Sequence, residues 1–192
     1  MIRVVAAMSR VLVVYGTTDG HTQKVADRIA KAIQEQGSSV DLINAKEISP
    51  TRVPERYDAV IVAASVHVGG YQPAVKRWVH LHATTLNGMR SAFVSVCLGV
   101  LESNPQAKAK LEDILQVFGT NTGWRPATTQ LVAGAIPYTR YGFFKKWIMK
   151  RIARKAGGGT DTSRDYDYTD WVALERFAYD FGKNIIPIKL GA

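Results

Sequence analysis

Apolar and polar positions along this chain follow two rhythms that take turns. Arg10 to Gly16 (RVLVVYG) is a short β-branched apolar run ending in small and polar residues, the pattern of a strand buried on both faces. From Thr22 to Gln36 the apolar residues Val25, Ala26, Ile29, Ala30 and Ile33 recur at helical spacing, and Gly37 supplies a stop. Val40 to Ile43 and the wholly apolar Asp58 to Ala64 read as strands two and three. A helix is predicted over Pro73 to Thr84, with Pro73 suited to its first turn. Ala92 to Leu98 then reads as strand four, Gln106 to Phe118 as a helix and Thr128 to Gly134 as strand five. Trp171 to Asn184 closes the chain as a helix with Leu174, Phe177, Ala178 and Phe181 on one face. Continuous apolar strands alternating with amphipathic helices predict an α/β fold whose parallel sheet is covered on both sides. In such sheets ligands bind beyond the carboxyl ends of the strands where strand order reverses, so the loops after strands one, three and four are the ones to inspect.

Length, cysteine count and charge narrow this picture. With 192 residues the chain is expected to form one domain able to bury a core without staples. Its single cysteine, Cys97, excludes an intrachain disulfide, and no Cys/His cluster has metal-ligand spacing, so no metal site is expected. No apolar run reaches a membrane span, and the opening nine residues are too short in apolar content for a secretory signal. Residues 1–9 are expected to be a lead before a domain at 10–187. The net charge of +9 is concentrated: between Tyr138 and Lys155 there are seven basic residues and no acid, which leaves 18 basic against 16 acidic residues elsewhere. A near-neutral body with one cationic, aromatic-rich segment predicts a localised anionic partner.

The loop after strand one, YGTTDGHT, is wedged between a buried strand and a helix start. Hydroxyls of Thr17, Thr18 and Thr22, the backbone freedom of Gly20 and a helix N-terminus together make a phosphate cradle that needs no lysine. The same residues also suit a plain capped helix start, in which Thr17 or Asp19 satisfies the first amides. The loop matches neither GxxxxGK[ST] nor GxGxxG, which weighs against nucleoside triphosphates and dinucleotides.

Thr17, Thr18, Gly20 and Thr22 resemble the loop with which flavodoxins hold the FMN phosphate; Asp19 and His21 depart from its commonest form, and Asp19 is expected to turn from the anion and accept hydrogen bonds. The form TxDGxT, with YDAVIVAASVHVGGY at 57–71, HATTLN at 82–87, SAFVSV at 91–96, WRP at 124–126, AGAIPYTRY at 133–141, GGGTDT at 157–162 and YTDW at 168–171, is similar to the menaquinone-dependent protoporphyrinogen dehydrogenases of bacterial haem synthesis. The resemblance implies a flavodoxin-like three-layer sandwich, a five-stranded parallel sheet with helices on both faces, that binds FMN. It implies cofactor contacts from Thr17 to Thr22, Asp19 and His21 included, from Ser65, Val66, His67, Val68 and Gly69 after strand three, and from Ser95, Val96, Cys97, Leu98 and Gly99 after strand four. Tyr71 is expected to pack beside the ring, Cys97 to be a small packing residue, and Val66, Val68 and Leu98 to leave one ring face open to a bulky substrate. Thr162 is a further expected contact where the chain returns to the cofactor.

Between strand five and the last helix, Ala135 to Asp170 is far longer than a connection requires, which defines an insertion at 136–168. Its middle reads as a cationic helix with apolar pairs Phe143 and Trp147 and the row Phe144, Ile148 and Ile152. Arg140, Tyr141, Lys145, Lys146, Trp147, Lys150 and Arg151 are expected either to grip substrate carboxylates or to meet an anionic bilayer. Nucleic acid is not expected, and no side chain suggests itself as a general base. The resemblance implies oxidation of protoporphyrinogen IX by a cytoplasmic enzyme peripheral to the inner face of the membrane, with menaquinone or ubiquinone as acceptor; a second copy of the chain remains open as a partner. The alternatives are a flavodoxin-type electron carrier, which the basic insertion opposes, and an NAD(P)H-driven quinone reductase.

Overall fold

A computed structural model describes residues 8–49, 54–155 and 158–185. Residues 1–7 of the expected lead, 186–187 at the expected domain end, Gly157, and the side chains of Phe143, Phe144, Lys145, Ile148, Ile152 and Lys155 lie outside the described part. Five parallel strands form the central sheet: β1 (Arg10–Gly16), β2 (Ser39–Asn44), β3 (Ala59–Ser65), β4 (Arg90–Val96) and β5 (Thr128–Val132), in the order β2-β1-β3-β4-β5. The order reverses between β1 and β3, and their carboxyl ends lie side by side with Gly16 opposite Ala64.

The strands are apolar throughout because alternate residues enter two different cores. Val11 and Val13 pack with Val25, Ile29 and Ile33 of α1 (His21–Gln34) and with Leu174, Ala178 and Phe181 of α6 (Trp171–Gly182). Leu12 and Val14 pack with Val75, Trp78 and Val79 of α2 (Pro73–Leu81), Leu86 of α3 (Ala83–Gly88) and Phe118 of α4 (Pro105–Thr122). The layers are therefore helix, sheet, helix. At Gly16 α2 packs directly on the sheet: a Cβ there would collide with Val75 Cγ2.

Two expectations need correction. The helix predicted over Pro73 to Thr84 is two helices, broken at His82, whose backbone leaves helical values and whose amide is shared between the Trp78 and Val79 carbonyls. The helix predicted to end at Phe118 runs to Thr122, where buried Thr122 bonds back to the Phe118 carbonyl and Gly123 caps the end.

The insertion folds back on itself. Its ends are zipped as an antiparallel ribbon, β6 (Ala135–Ile136) with β7 (Tyr166–Asp167), which periodicity did not predict because two-residue strands carry no period. Between them lies α5 (Phe143–Lys155), over a small core of Ile136, Tyr138, Tyr141 and Ala153. Met149 and Ala153, one turn apart, face that core, while Trp147, Arg151 and Arg154 form the exposed face. No helix of the described residues is long and apolar enough to cross a membrane.

Candidate functional site

The loop after β1 enters α1 with no side-chain cap. Thr17 Oγ1 accepts from the Gly20 amide at 2.9 Å, a local turn that closes the loop. Gly20 is the N-cap of α1 at φ +87°, a conformation that strains any side chain. A glycine cap has no side chain to offer, and the first turn of α1 holds no acid. The first-turn amides and the positive end of the helix dipole thus meet no side-chain cap and no acid of that turn. Thr18 is exposed beside this turn, whereas Thr22 is buried against the sheet. Asp19 accepts from the Tyr141 hydroxyl at 3.0 Å, so it takes a side-chain hydrogen bond as its departure from the usual loop suggested.

The loop after β3 is pinned at its base, where the Val66 amide donates to the Val96 carbonyl at 2.9 Å. His67 and Gly70 then exchange amide hydrogen bonds of 2.7 and 3.1 Å around a two-residue tip. Both tip residues have positive φ, Val68 at 49° and Gly69 at 77°, the signature of a primed hairpin turn. Val68 is a β-branched residue in the left-handed region, and its side chain is wholly exposed. Strain of this kind is maintained where a loop must present itself to a ligand.

Three expected contacts turn inward. Tyr71 does not face the site: it is buried edge-on to Phe93 and Phe118, and its hydroxyl bonds Ser95 Oγ at 2.7 Å. Burial is the main reason its pKa is pushed up to about 12. Ser95 and Val96 lie in the sheet interior because strand alternation sends their side chains into the two cores. The half-buried segment after β4 begins at Cys97, whose Sγ accepts from the Gly99 amide at 3.2 Å and whose thiol burial pushes upward in pKa. Leu98 leans on the insertion core, which ties this segment to the insertion.

The insertion is docked on the loop after β1 at two points. Tyr141, expected at the substrate or membrane face, is instead buried and bonded to Asp19; burial and that carboxylate together raise its pKa. The second point is His21, which lies 2.7 Å from Thr169 Oγ1 and 3.8 Å from Asp167, with Trp171 edge-on at 5.8 Å. Thr169 gives its one hydroxyl proton to the Ala133 carbonyl at 2.9 Å, so it must accept from His21, which places the imidazole proton on Nε2. Burial holds the His21 pKa below its ordinary value, with Asp167 opposing. Asp167 and Thr169 thus bring the returning chain against His21, while Thr162 stands in a turn organised by Asp161. Sequence reasoning passed over Thr169 because a Thr-Asp pair before a helix reads as capping, and Asp170 does cap α6 through the Ala173 amide.

A second residue it passed over joins the first two loops. Gln72 Nε2 donates to Ser65 Oγ at 2.7 Å and to Thr18 Oγ1 at 3.4 Å, directly at the strand-order reversal. The available signal was its place before Pro73, the cap position of a helix entering from the β3 loop. Of the basic residues, Arg140, Arg151 and Arg154 are exposed, and Lys146 and Lys150 half-buried along α5. Asp165, held below its ordinary pKa chiefly by the Thr139 amide and hydroxyl and also by Arg140, marks the acidic edge of that surface. Among the described residues no group of His, Cys, Asp and Glu could hold a metal.

A flavodoxin-domain family model matches residues 12–163. The protoporphyrinogen IX dehydrogenase (quinone) of Escherichia coli (strain K12) is 35% identical over 169 residues, covering 88% of this chain and 92% of that protein. The protein of the same name from Leishmania major is 33% identical over 171 residues, covering 88% of this chain and 73% of its own length. Among solved structures, oxidised flavodoxin 1 from Bacillus cereus superposes with a TM-score of 0.57 at 17% identity, over 93% of this chain and all of that one, a likeness of fold.

Proposed function

Since the chain belongs to the flavodoxin-domain family and, within it, to the protoporphyrinogen IX dehydrogenases, we propose that it oxidises protoporphyrinogen IX to protoporphyrin IX using FMN and a membrane quinone as acceptor. The observation that carries this reading is the attachment of a basic, aromatic insertion to the loop after β1 through Tyr141 with Asp19 and Thr169 with His21. An electron carrier has no use for such an arm. An enzyme that must hold a dicarboxylic macrocycle against its cofactor does.

The donor set fits the monophosphate of FMN. Thr17, Thr18 and the amides from Gly20 into α1 would hold it, since hydroxyls and an uncapped, acid-free helix start suit a dianion without a lysine. Residues 65–69 and 97–99 would flank the ring, and the 67–70 tip, with no Phe, Tyr or Trp, would leave room for a macrocycle to stack. Bound FMN supplies a two-electron acceptor, so the protein's task is position and electrostatics. Arg140, Lys146 and Lys150 would take the substrate's propionates, for which the planar Arg140 fork is best shaped. The outward Trp147, Arg151 and Arg154 would rest on anionic lipid, where the quinone dissolves.

The test is direct. Purified protein should be yellow, or take up added FMN stoichiometrically, and should convert protoporphyrinogen IX to fluorescent protoporphyrin under anaerobic conditions only when a quinone is supplied. Full FMN occupancy with no conversion by menaquinone or ubiquinone analogues refutes the reading. Rapid bleaching of the flavin by NADPH would favour a quinone reductase instead.

A further inference from the structure

Gln72 is 9% exposed, yet its amide is only half paired. Both Nε2 protons are used, one on Ser65 Oγ and one on Thr18 Oγ1. Oε1 is buried with no hydrogen-bond partner, 3.1 Å from where a Cβ on Gly16 would stand. The reverse orientation would aim Oε1 at the two hydroxyls and leave two buried N–H donors against Gly16 instead of one buried acceptor, which is the costlier arrangement. The backbone of Gln72 is not adjustable, because it caps α2 and its carbonyl accepts from the Lys76 amide at 3.1 Å.

This orientation has a chemical effect on its neighbours. A hydroxyl that accepts from an N–H keeps its own proton for a different acceptor. Thr18 belongs to the loop that faces the anion, and Ser65 to the end of β3, so the amide sets both hydroxyls as outward donors at once. We propose that Gln72 is a positioning residue for the cofactor: it polarises Thr18 and Ser65 as donors, and through Thr18 sets the preference for a phosphorylated flavin over its unphosphorylated form. The inference rests on the FMN reading above. The unpaired Oε1 is its local cost, of the kind kept where a polar group serves a ligand rather than the fold.

Fluorescence titrations of the protein with FMN and with riboflavin test this, since the two ligands differ only in the phosphate. Gln72→Met keeps the length of the side chain and removes both donors. Gln72→Glu keeps the shape but presents acceptors, which capture the two hydroxyl protons. The wild-type preference for FMN should fall about tenfold in Gln72→Met, roughly the worth of one charge-assisted hydrogen bond, and further in Gln72→Glu. A residue that merely packs would weaken both ligands equally and leave the ratio unmoved. Thr18→Val combined with Gln72→Met should show the same ratio as Thr18→Val alone, because the amide acts through that hydroxyl. If wild type binds FMN no better than riboflavin, the cofactor reading and this inference both fall. If wild type prefers FMN and either folded Gln72 variant retains the full preference, the inference alone falls.

Discussion

Asn at position 68 should make this protein more stable, although the side chain it replaces touches nothing. Val68 stands at φ +49° with a relative exposure of 109%, so replacing it forfeits no buried apolar area. The left-handed conformation of a β-branched residue costs about 1–2 kcal/mol, and Asn tolerates it far better. The His67–Gly70 turn is of the primed kind whose preferred central pair is Asn-Gly, and Gly69 already fills the second place. Val68→Asn is therefore expected to gain about 1–2 kcal/mol, or roughly 2–8 °C in Tm for a chain of this size. Val68→Gly should gain less, because glycine gives back about 0.5–1 kcal/mol in unfolded-chain entropy. Thermal unfolding of the flavin-free protein by circular dichroism, with urea unfolding to check that the m-value is unchanged, measures both. An Asn variant that melts at or below wild type would mean the turn holds no releasable strain.

Further outcomes follow from other contacts. Thr18→Ala should weaken FMN binding by roughly tenfold with little change in Tm, whereas Thr22→Ala should lower Tm instead, since Thr22 is buried; flavin titration and thermal melts separate them. His21 has a folded pKa below its ordinary 6.5, so the unfolded chain binds the extra proton first: its share of stability is present above about pH 6.5 and is lost as pH falls through the depressed value. Urea midpoints between pH 5 and 8 should therefore drop on the acid side, and less steeply in His21→Gln; burial shifts His82 the same way, so some slope remains. Replacing the outward Arg151 and Arg154 by Gln should reduce sedimentation with phosphatidylserine vesicles, at about 1 kcal/mol per charge, while flavin binding persists. Gly16→Ala should lower Tm markedly, because its Cβ would strike Val75 of α2.

Much of the scaffold was legible because its signals are local. The β1 run reads off as Arg10 to Gly16 in both sequence and structure, and α1, β3 and α6 begin within a residue or so of their predicted starts. The break at His82 was not legible, because the residues on either side keep helical spacing and both helices pack on the same core. In the site, Gly20 and the threonines around it could be named from the loop alone. Tyr71, Ser95 and Tyr141 have buried side chains bonded within the protein, which adjacency to a loop could not say. Gln72 and Thr169 escaped notice because each is ordinary until a partner 54 or 148 residues away is brought to it.

The order of apolar runs and helical stripes was sufficient for the layered fold, the position of the ligand end and the segregation of positive charge, since each depends on neighbours a few residues apart. Only the folded chain could decide that Asp19 meets Tyr141, that His21 carries its proton on Nε2 and that one glutamine amide spans two loops. Those facts depend on distances across the sheet and around the insertion, which hydrophobic burial determines collectively and no stretch of sequence encodes by itself.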